Sequence, residues 1–238
     1  MASGRADRGA RQATGRRRCQ HDAVPDLSRM RRDYDRGRLL EEDLAPTWVE
    51  QFDRWFADAV AAELPEPNAM VVATADADDA PDARLVLMKG YDSSGFVFGT
   101  SYASAKGAQL AVNARAALVF PWHAISRQVR VAGRVERVGE ATSDALWDPR
   151  PRGAQLAAAA SVQSTVVDSV EELEDRVRLL DEQTPPGPVP RPAAWGGYRV
   201  VPDRVEFWQG GADRLHDRLR FVRDDAEGGG WIVQRLAP

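Results

Sequence analysis

Arg214, His216 and Arg218 recur at spacing two, just after the pair Gly210-Gly211 and close to Trp208. In an extended segment that spacing puts two guanidiniums and an imidazole on one face. Arginine forks grip phosphate or carboxylate, and an indole packs against a ring. The set suits a planar anionic ligand; a polar hairpin with solvated arginines is the alternative that spacing leaves open. More donors are spread along the chain: Arg84, Lys89, Lys106, Gln128, Arg150, Gln163 and Ser164. A site gathering so many of them calls for a ligand with more than one anionic group, because each charge-assisted hydrogen bond contributes roughly 1.5–3 kcal/mol. Two phosphate esters meet that description, one on a cofactor and one on a substrate. Of the 32 basic residues only Lys89 and Lys106 are lysines. Either a compact ammonium is needed there or the pattern is coincidence.

Other chemistries are set aside. No Gly-x-Gly-x-x-Gly follows a strand, and there is no phosphate-binding Gly-x-x-x-x-Gly-Lys or nucleophile-elbow Gly-x-Ser-x-Gly. His21, His123 and His216 are far apart and none is paired at metal-ligand spacing, so no metal is expected. With 43% hydrophobic and 29% charged residues over 238 positions, the chain reads as soluble and globular. A net charge of −4 offers nothing in favour of nucleic acid. Cys19 is the sole cysteine, which suits a reducing cytoplasm. No apolar run approaches the roughly 20 residues of a membrane span, and the basic N-terminus lacks the apolar core of a secretory signal.

The elements that must position these donors follow from periodicity. Residues 1–27 are rich in Gly, Ala and Arg and read as a disordered basic tail, with 28–238 as a single domain. Trp48, Phe52, Trp55, Phe56, Ala59 and Val60 recur at helical spacing and predict a helix over 46–63. Strands are predicted over 69–75, 84–91 and 96–100, with a turn at 76–81. Ser104 is the expected N-cap of a helix to Asn113. Lys106 in its first turn, beside Thr100 and Ser101, makes a phosphate seat or an ordinary surface helix. Further strands are expected over 116–122, 128–138, 197–201, 205–209, 219–223 and 231–236. Helices are expected over 140–148, 153–160 and 168–183, and 185–192 is a stiff proline linker. The whole predicts a mainly β fold, one antiparallel barrel with peripheral helices.

In this order the motifs are specific as a set: Arg-Arg-Asp-Tyr (31–34), Arg-Leu-Val-Leu-Met-Lys (84–89), Arg-Gln-Val-Arg-Val-Ala-Gly (127–133), Arg-Pro-Arg (150–152), Gln-Ser (163–164), Trp-Gly-Gly-Tyr (195–198), Glu-Phe-Trp-Gln-Gly (206–210) and Arg-Leu-His-Asp-Arg (214–218). With them the chain resembles the pyridoxine/pyridoxamine 5'-phosphate oxidase family from about residue 31 to its end. The resemblance implies a split β-barrel with FMN at a homodimer interface. It implies flavin contacts from Arg84, Leu85, Val86, Leu87, Met88, Lys89, Thr100, Lys106, Gln128, Gln163, Ser164, Trp208 and Arg218. Substrate contacts are implied from Arg31, Arg32, Asp33, Tyr34, Lys89, Arg150, Arg214, Leu215 and His216, with Arg214, His216 and Tyr34 closest to the chemistry. The implied reaction passes a hydride from the substrate's C4' to the flavin, and dioxygen then takes the electrons to give hydrogen peroxide.

The chain also departs from the family pattern. Gly99 stands where a tyrosine is usual and Ala105 where an arginine is. Leu146 and Ala154 replace a tyrosine and a serine of the substrate pocket, and Ala157-Ala158-Ala159 replaces Gly-Ala-Trp. Weaker phosphate binding or an altered substrate preference is expected. Rival readings are a flavin enzyme on the same barrel with another substrate, a vitamer carrier without turnover, and a nucleic-acid contact through the tail.

Overall fold

A computed structural model of the chain describes residues 26–27, 34, 37–224 and 229–238. Asp33–Pro238 forms one compact unit; of the other unit, Met1–Arg32, only Asp26 and Leu27 are described. The expected basic tail otherwise lies outside the described residues, as do Arg31, Arg32 and Asp33.

Six strands make the barrel: β1 (Ala69–Ala75), β2 (Pro81–Asp92), β3 (Gly95–Ser101), β4 (Arg115–Phe120), β5 (Arg127–Arg137) and β6 (Trp195–Gln209). They pair antiparallel in the order β3-β2-β1-β4-β5-β6, and a β3–β6 ladder closes the ring. Two more strands, β7 (Asp217–Arg223) and β8 (Trp231–Arg235), extend the sheet from the far half of β6. Closure leaves β3 and β6 no bare edge within the ring, which is how a small antiparallel sheet avoids edge-to-edge association.

α1 (Trp48–Ala61) plugs the barrel. Thr47 and Glu50 form a reciprocal capping box at its start. Its apolar stripe buries Trp48, Phe52, Trp55 and Ala59. Phe52 meets Phe96 and Phe120 edge-on, each with ring centroids 5.0 Å apart. Each such fully buried side chain contributes roughly 1.5–3 kcal/mol. α2 (Ala105–Val112) packs outside β1, while α3 (Glu140–Trp147), α4 (Arg152–Ala160) and α5 (Val170–Gln183) cover the start of β6. Trp147, Leu156, Val189 and Trp195 form a second, smaller core there, against which Val177 and Leu180 of α5 pack.

One predicted boundary differs. The two strands expected over 197–201 and 205–209 are a single strand, β6, bent at a bulge. Gly133 pairs with Pro202 and Ala132 with Arg204, leaving Asp203 as the extra residue. Pro202-Asp203 looks like a turn in sequence, but a bulge tolerates the missing proline donor and lets the ladder continue. Gly133 is required there, since a Cβ on it would lie 2.0 Å from the Val201 carbonyl oxygen.

Candidate active site

A cleft of about 780 Å³ opens beside β2 and β3, walled on the far side by α4. Arg84, Leu85, Val86, Leu87 and Lys89 line it from β2, Thr100 from β3, Lys106 from α2, Arg150 from the turn before α4, Ala154 from the first turn of α4, and Gln163 and Ser164 from the loop after α4. Met88 does not join them; its side chain turns into the barrel core and is 5% exposed. Met88 pairs with Phe98 and Gly90 with Val97, so Lys89 is the extra residue of a bulge. Lys89 is exposed on the cleft wall, with no ion-pair partner among the described residues.

Lys106 is the most telling group in this cleft. Its ammonium is buried, yet it donates only to neutral oxygens: Thr100 Oγ1 at 3.2 Å, Ser104 Oγ at 3.3 Å and Gln163 Oε1 at 3.3 Å. Ser104 is the N-cap of α2, as its position predicted, and accepts from the Gly107 N–H. This cation sits at the positive end of a helix with no carboxylate in hydrogen-bond contact, and Asp82 offsets its charge only in part and from a distance. Burial, and then the neighbouring Arg84 charge, push the Lys106 pKa down. Arg84 itself donates to Thr74 Oγ1 at 2.5 Å and pairs with Asp82 at the rim. Asp82 is held below the usual carboxylate range chiefly by that guanidinium.

Arg150 is pinned by aromatics. Its guanidinium lies 5.5 Å from the Trp147 ring centre and 5.2 Å from that of Trp195, and it donates to the Ala154 carbonyl at 3.0 Å. Its Nε is buried and has no hydrogen-bond partner. Burial lowers its pKa, and no carboxylate offsets that cost among the described residues. Trp195 therefore belongs to this site, although only its motif was noted in the sequence. Trp147, Arg150 and Trp195 are brought together by folding, and no spacing rule reveals it. Trp195 also fills the space beside Gly99, where a Cβ would meet its ring at 2.8 Å. Leu146 packs among the second core and against Gly197, away from the cleft wall.

The remaining candidates gather elsewhere. Gln128 of β5, Trp208 of β6 and Arg218 of β7 form one cross-strand row. Arg218 Nε donates to Glu206 Oε1 at 2.8 Å and its Nη1 to the Ala237 carbonyl at 2.9 Å. His216 lies 4.7 Å from Trp208, ring centre to ring centre. Its Nδ1 accepts the Gly211 N–H at 3.1 Å, which leaves the ring proton on Nε2. Tyr34 stands edge-on to both, 5.5 Å from Trp208 and 5.7 Å from His216. Gly210 makes room for it: a Cβ there would meet the Tyr34 ring at 2.6 Å. Leu215 is 67% exposed.

The single extended face expected for Arg214, His216 and Arg218 is not what forms. Arg214 closes a short 3-10 turn, Ala212–Arg214, and β7 begins only at Asp217. Asp213 and Arg214 both have positive φ, at 52° and 65°. Two non-glycine residues in the left-handed region store strain, which persists where surrounding structure imposes it. The turn leaves Arg214 exposed and without an ion-pair partner among the described residues.

Trp195 of the cleft and Trp208 of the second group mark opposite ends of β6. At about 3.3 Å per residue the strand between them runs roughly 40 Å. No residue of the second group lines the cleft. Among the described residues no cluster of three His, Cys, Asp or Glu could hold a metal, and no helix is long and apolar enough to cross a membrane.

Comparison with known proteins agrees along the chain. Residues 56–183 match the family model described as pyridoxamine 5'-phosphate oxidase. Residues 195–238 match that of the pyridoxine 5'-phosphate oxidase C-terminal dimerisation region. A pyridoxine/pyridoxamine 5'-phosphate oxidase of Salinispora arenicola is 54% identical over 91% of this chain and 98% of its own. One from Burkholderia cenocepacia is 51% identical over 89% of this chain and 99% of its own. Among solved structures, PhzG from Burkholderia lata, in complex with tetrahydrophenazine-1-carboxylic acid, superposes with a TM-score of 0.77 at 30% identity, covering 84% of this chain and 98% of its own. A pyridoxamine 5'-phosphate oxidase-related, FMN binding protein from Nostoc punctiforme shares the fold, with a TM-score of 0.65 at 18% identity over 82% of this chain and 99% of its own. The barrel is thus the FMN-binding split barrel, and the chain belongs to the pyridoxine/pyridoxamine 5'-phosphate oxidase family.

Proposed function

We propose that this protein oxidises pyridoxamine 5'-phosphate, and pyridoxine 5'-phosphate, to pyridoxal 5'-phosphate, with FMN as resident cofactor and dioxygen as final acceptor, releasing hydrogen peroxide. The observation that carries the reading is the pair of unfinished half-sites at the two ends of β6. One holds buried or exposed cations without counter-ions in contact, Lys106, Arg150 and Lys89. The other holds Trp208, Arg214, His216 and Arg218 within the stretch matched as a dimerisation region. A homodimer in which one protomer's cleft faces the partner's second group joins them.

FMN fits the cleft chemically. Lys106, at the N-terminus of α2 with Thr100, Ser104 and Gln163 around it, would hold the phosphate, and Arg84 would add a second cation. Leu85, 68% exposed on β2, offers apolar surface to a ring, with Val86, Leu87, Lys89 and Ser164 along the same wall. Bound FMN supplies the two-electron acceptor that no side chain can provide. Lys89 and Arg150 take the substrate phosphate, and the apolar wall of Ala154, Ala157 and Ala158 excludes water beside them. From the second group, Gln128, Trp208 and Arg218 brace the cofactor. Arg214 and His216 orient the pyridine ring, with His216 presenting its Nε2 proton. Leu215 and Tyr34 complete the substrate enclosure among the described residues; Arg31, Arg32 and Asp33, which the family resemblance implies as further substrate contacts, lie outside them. Holding both rings at reacting distance is the protein's main contribution to rate.

We assign residues 28–238 to one FMN-binding domain and place the enzyme in the cytoplasm. The experiment is direct. Purified protein reconstituted with FMN should show a flavin absorption band, and it should consume oxygen on addition of pyridoxamine 5'-phosphate. A flavin band with tight vitamer binding but no oxygen uptake would convert the reading to a carrier.

A further inference from the structure

Asp217 sits between His216 and Arg218, yet its side chain serves neither. It is buried, and its carboxylate faces the chain just downstream of Tyr34. Oδ2 accepts from Arg38 Nε at 2.6 Å and from the Leu39 N–H at 3.1 Å. Oδ1 accepts from Arg38 Nη2 at 3.1 Å and from Arg235 Nη1 at 2.8 Å. Arg235 also grips both Glu41 oxygens, at 2.6 and 2.7 Å, and the Leu39 carbonyl at 3.1 Å. Four charged side chains thus clasp residues 38–41 to β7 and β8. The Arg38 hydrogen bonds above all hold the Asp217 carboxyl at about 2, so the clasp is fully charged at neutral pH.

The clasp lies within short reach of the site. Arg38 lies four positions after Tyr34, a span of at most about 14 Å. Tyr34 in turn rests on Gly210 beside Trp208 and His216. We infer that Arg38 and Asp217 are positioning residues, whose clasp sets where Tyr34 stands over His216 and Trp208. The same carboxylate fixes the start of β7, so one buried group registers both walls of the substrate enclosure. The inference rests on the proposed contact between Tyr34 and substrate.

Arg38→Ala tests it, because Arg38 is 64% exposed and its loss leaves Asp217 with Arg235 and the Leu39 amide. In the FMN-loaded enzyme the KM for pyridoxamine 5'-phosphate should rise roughly tenfold, the worth of one charge-assisted bond. FMN affinity should not change, and Arg38→Lys should recover part of the loss. In a Tyr34→Ala background Arg38→Ala should add nothing further. An independent, multiplicative loss there would overturn the inference. A second readout needs no flavin: amide hydrogen exchange at Leu39 in the unloaded protein should quicken in Arg38→Ala, and unchanged exchange would contradict the clasp. If wild-type protein fails to oxidise the substrate, the functional reading falls, while the exchange experiment still decides the clasp.

Discussion

At the scale of single residues, the two lysines sit in different surroundings, Lys89 being exposed on the cleft wall. Lys106 is buried among neutral oxygens, with no carboxylate in contact. Lys106→Met should weaken FMN binding roughly 10- to 100-fold, as read by flavin fluorescence titration. The unloaded protein should lose no thermal stability, because the substitution removes a buried charge that is only partly compensated. Only the ammonium form can pair with a phosphate. Since burial and Arg84 lower its pKa, wild-type FMN affinity should start to fall at a lower alkaline pH than an ordinary lysine would give. In Lys106→Met that alkaline limb should vanish. Arg214 is exposed on a strained turn at the other end of β6. Arg214→Ala should cut kcat by roughly 100-fold through lost orientation, with FMN affinity unchanged. Equal loss of both would show that Arg214 holds the cofactor instead.

At the scale of elements, bulges interrupt both β2 and β6. Lys89 follows Leu85 and Leu87 on the cleft face of β2 and stands at the bulge between Met88 and Gly90. β6 spans both half-sites because the bulge opposite Gly133 lets one strand bend and continue. Gly133→Ala would drive a Cβ into the Val201 carbonyl. It should destabilise the protein by roughly 1–3 kcal/mol, measured by urea unfolding. Helices 48–61 and 105–112, with their Thr47 and Ser104 caps, fall within the spans predicted from spacing. These signals are local: a capping side chain and a stripe at period 3.6 need no distant partner. The bulge at Pro202-Asp203 was not legible as a bulge, since the same residues in isolation spell a turn. Only the ladder to β5 keeps them extended.

At the scale of the molecule, the proposed function depends on pairing two copies. Arg150 and Arg214 occupy different half-sites, so Arg150→Ala and Arg214→Ala should each abolish efficient turnover in a homodimer. Co-expressed with separable tags, the isolated mixed dimer would hold one doubly damaged site and one intact site. Its activity should return to about half that of the wild type, since each closed two-fold dimer carries two sites. No recovery in the mixed dimer would show that each site is built within one chain.

The places of most strands along the chain, the Ser104 cap and the inventory of cations were written in the sequence, because period, propensity and charge are properties of residues and near neighbours. The motifs from Arg84 to Arg218 also carried the family likeness without any coordinates. Tertiary structure alone decided which cations share a cleft. It seated Arg150 between Trp147 and Trp195, turned Met88 inward, and broke the run Arg214-x-His216-x-Arg218 at a left-handed turn. It also set the cation-lined cleft and the Trp208–His216 group at opposite ends of one strand. Those outcomes depend on register, bulges and close packing between segments far apart in sequence, and no local pattern encodes where such segments meet.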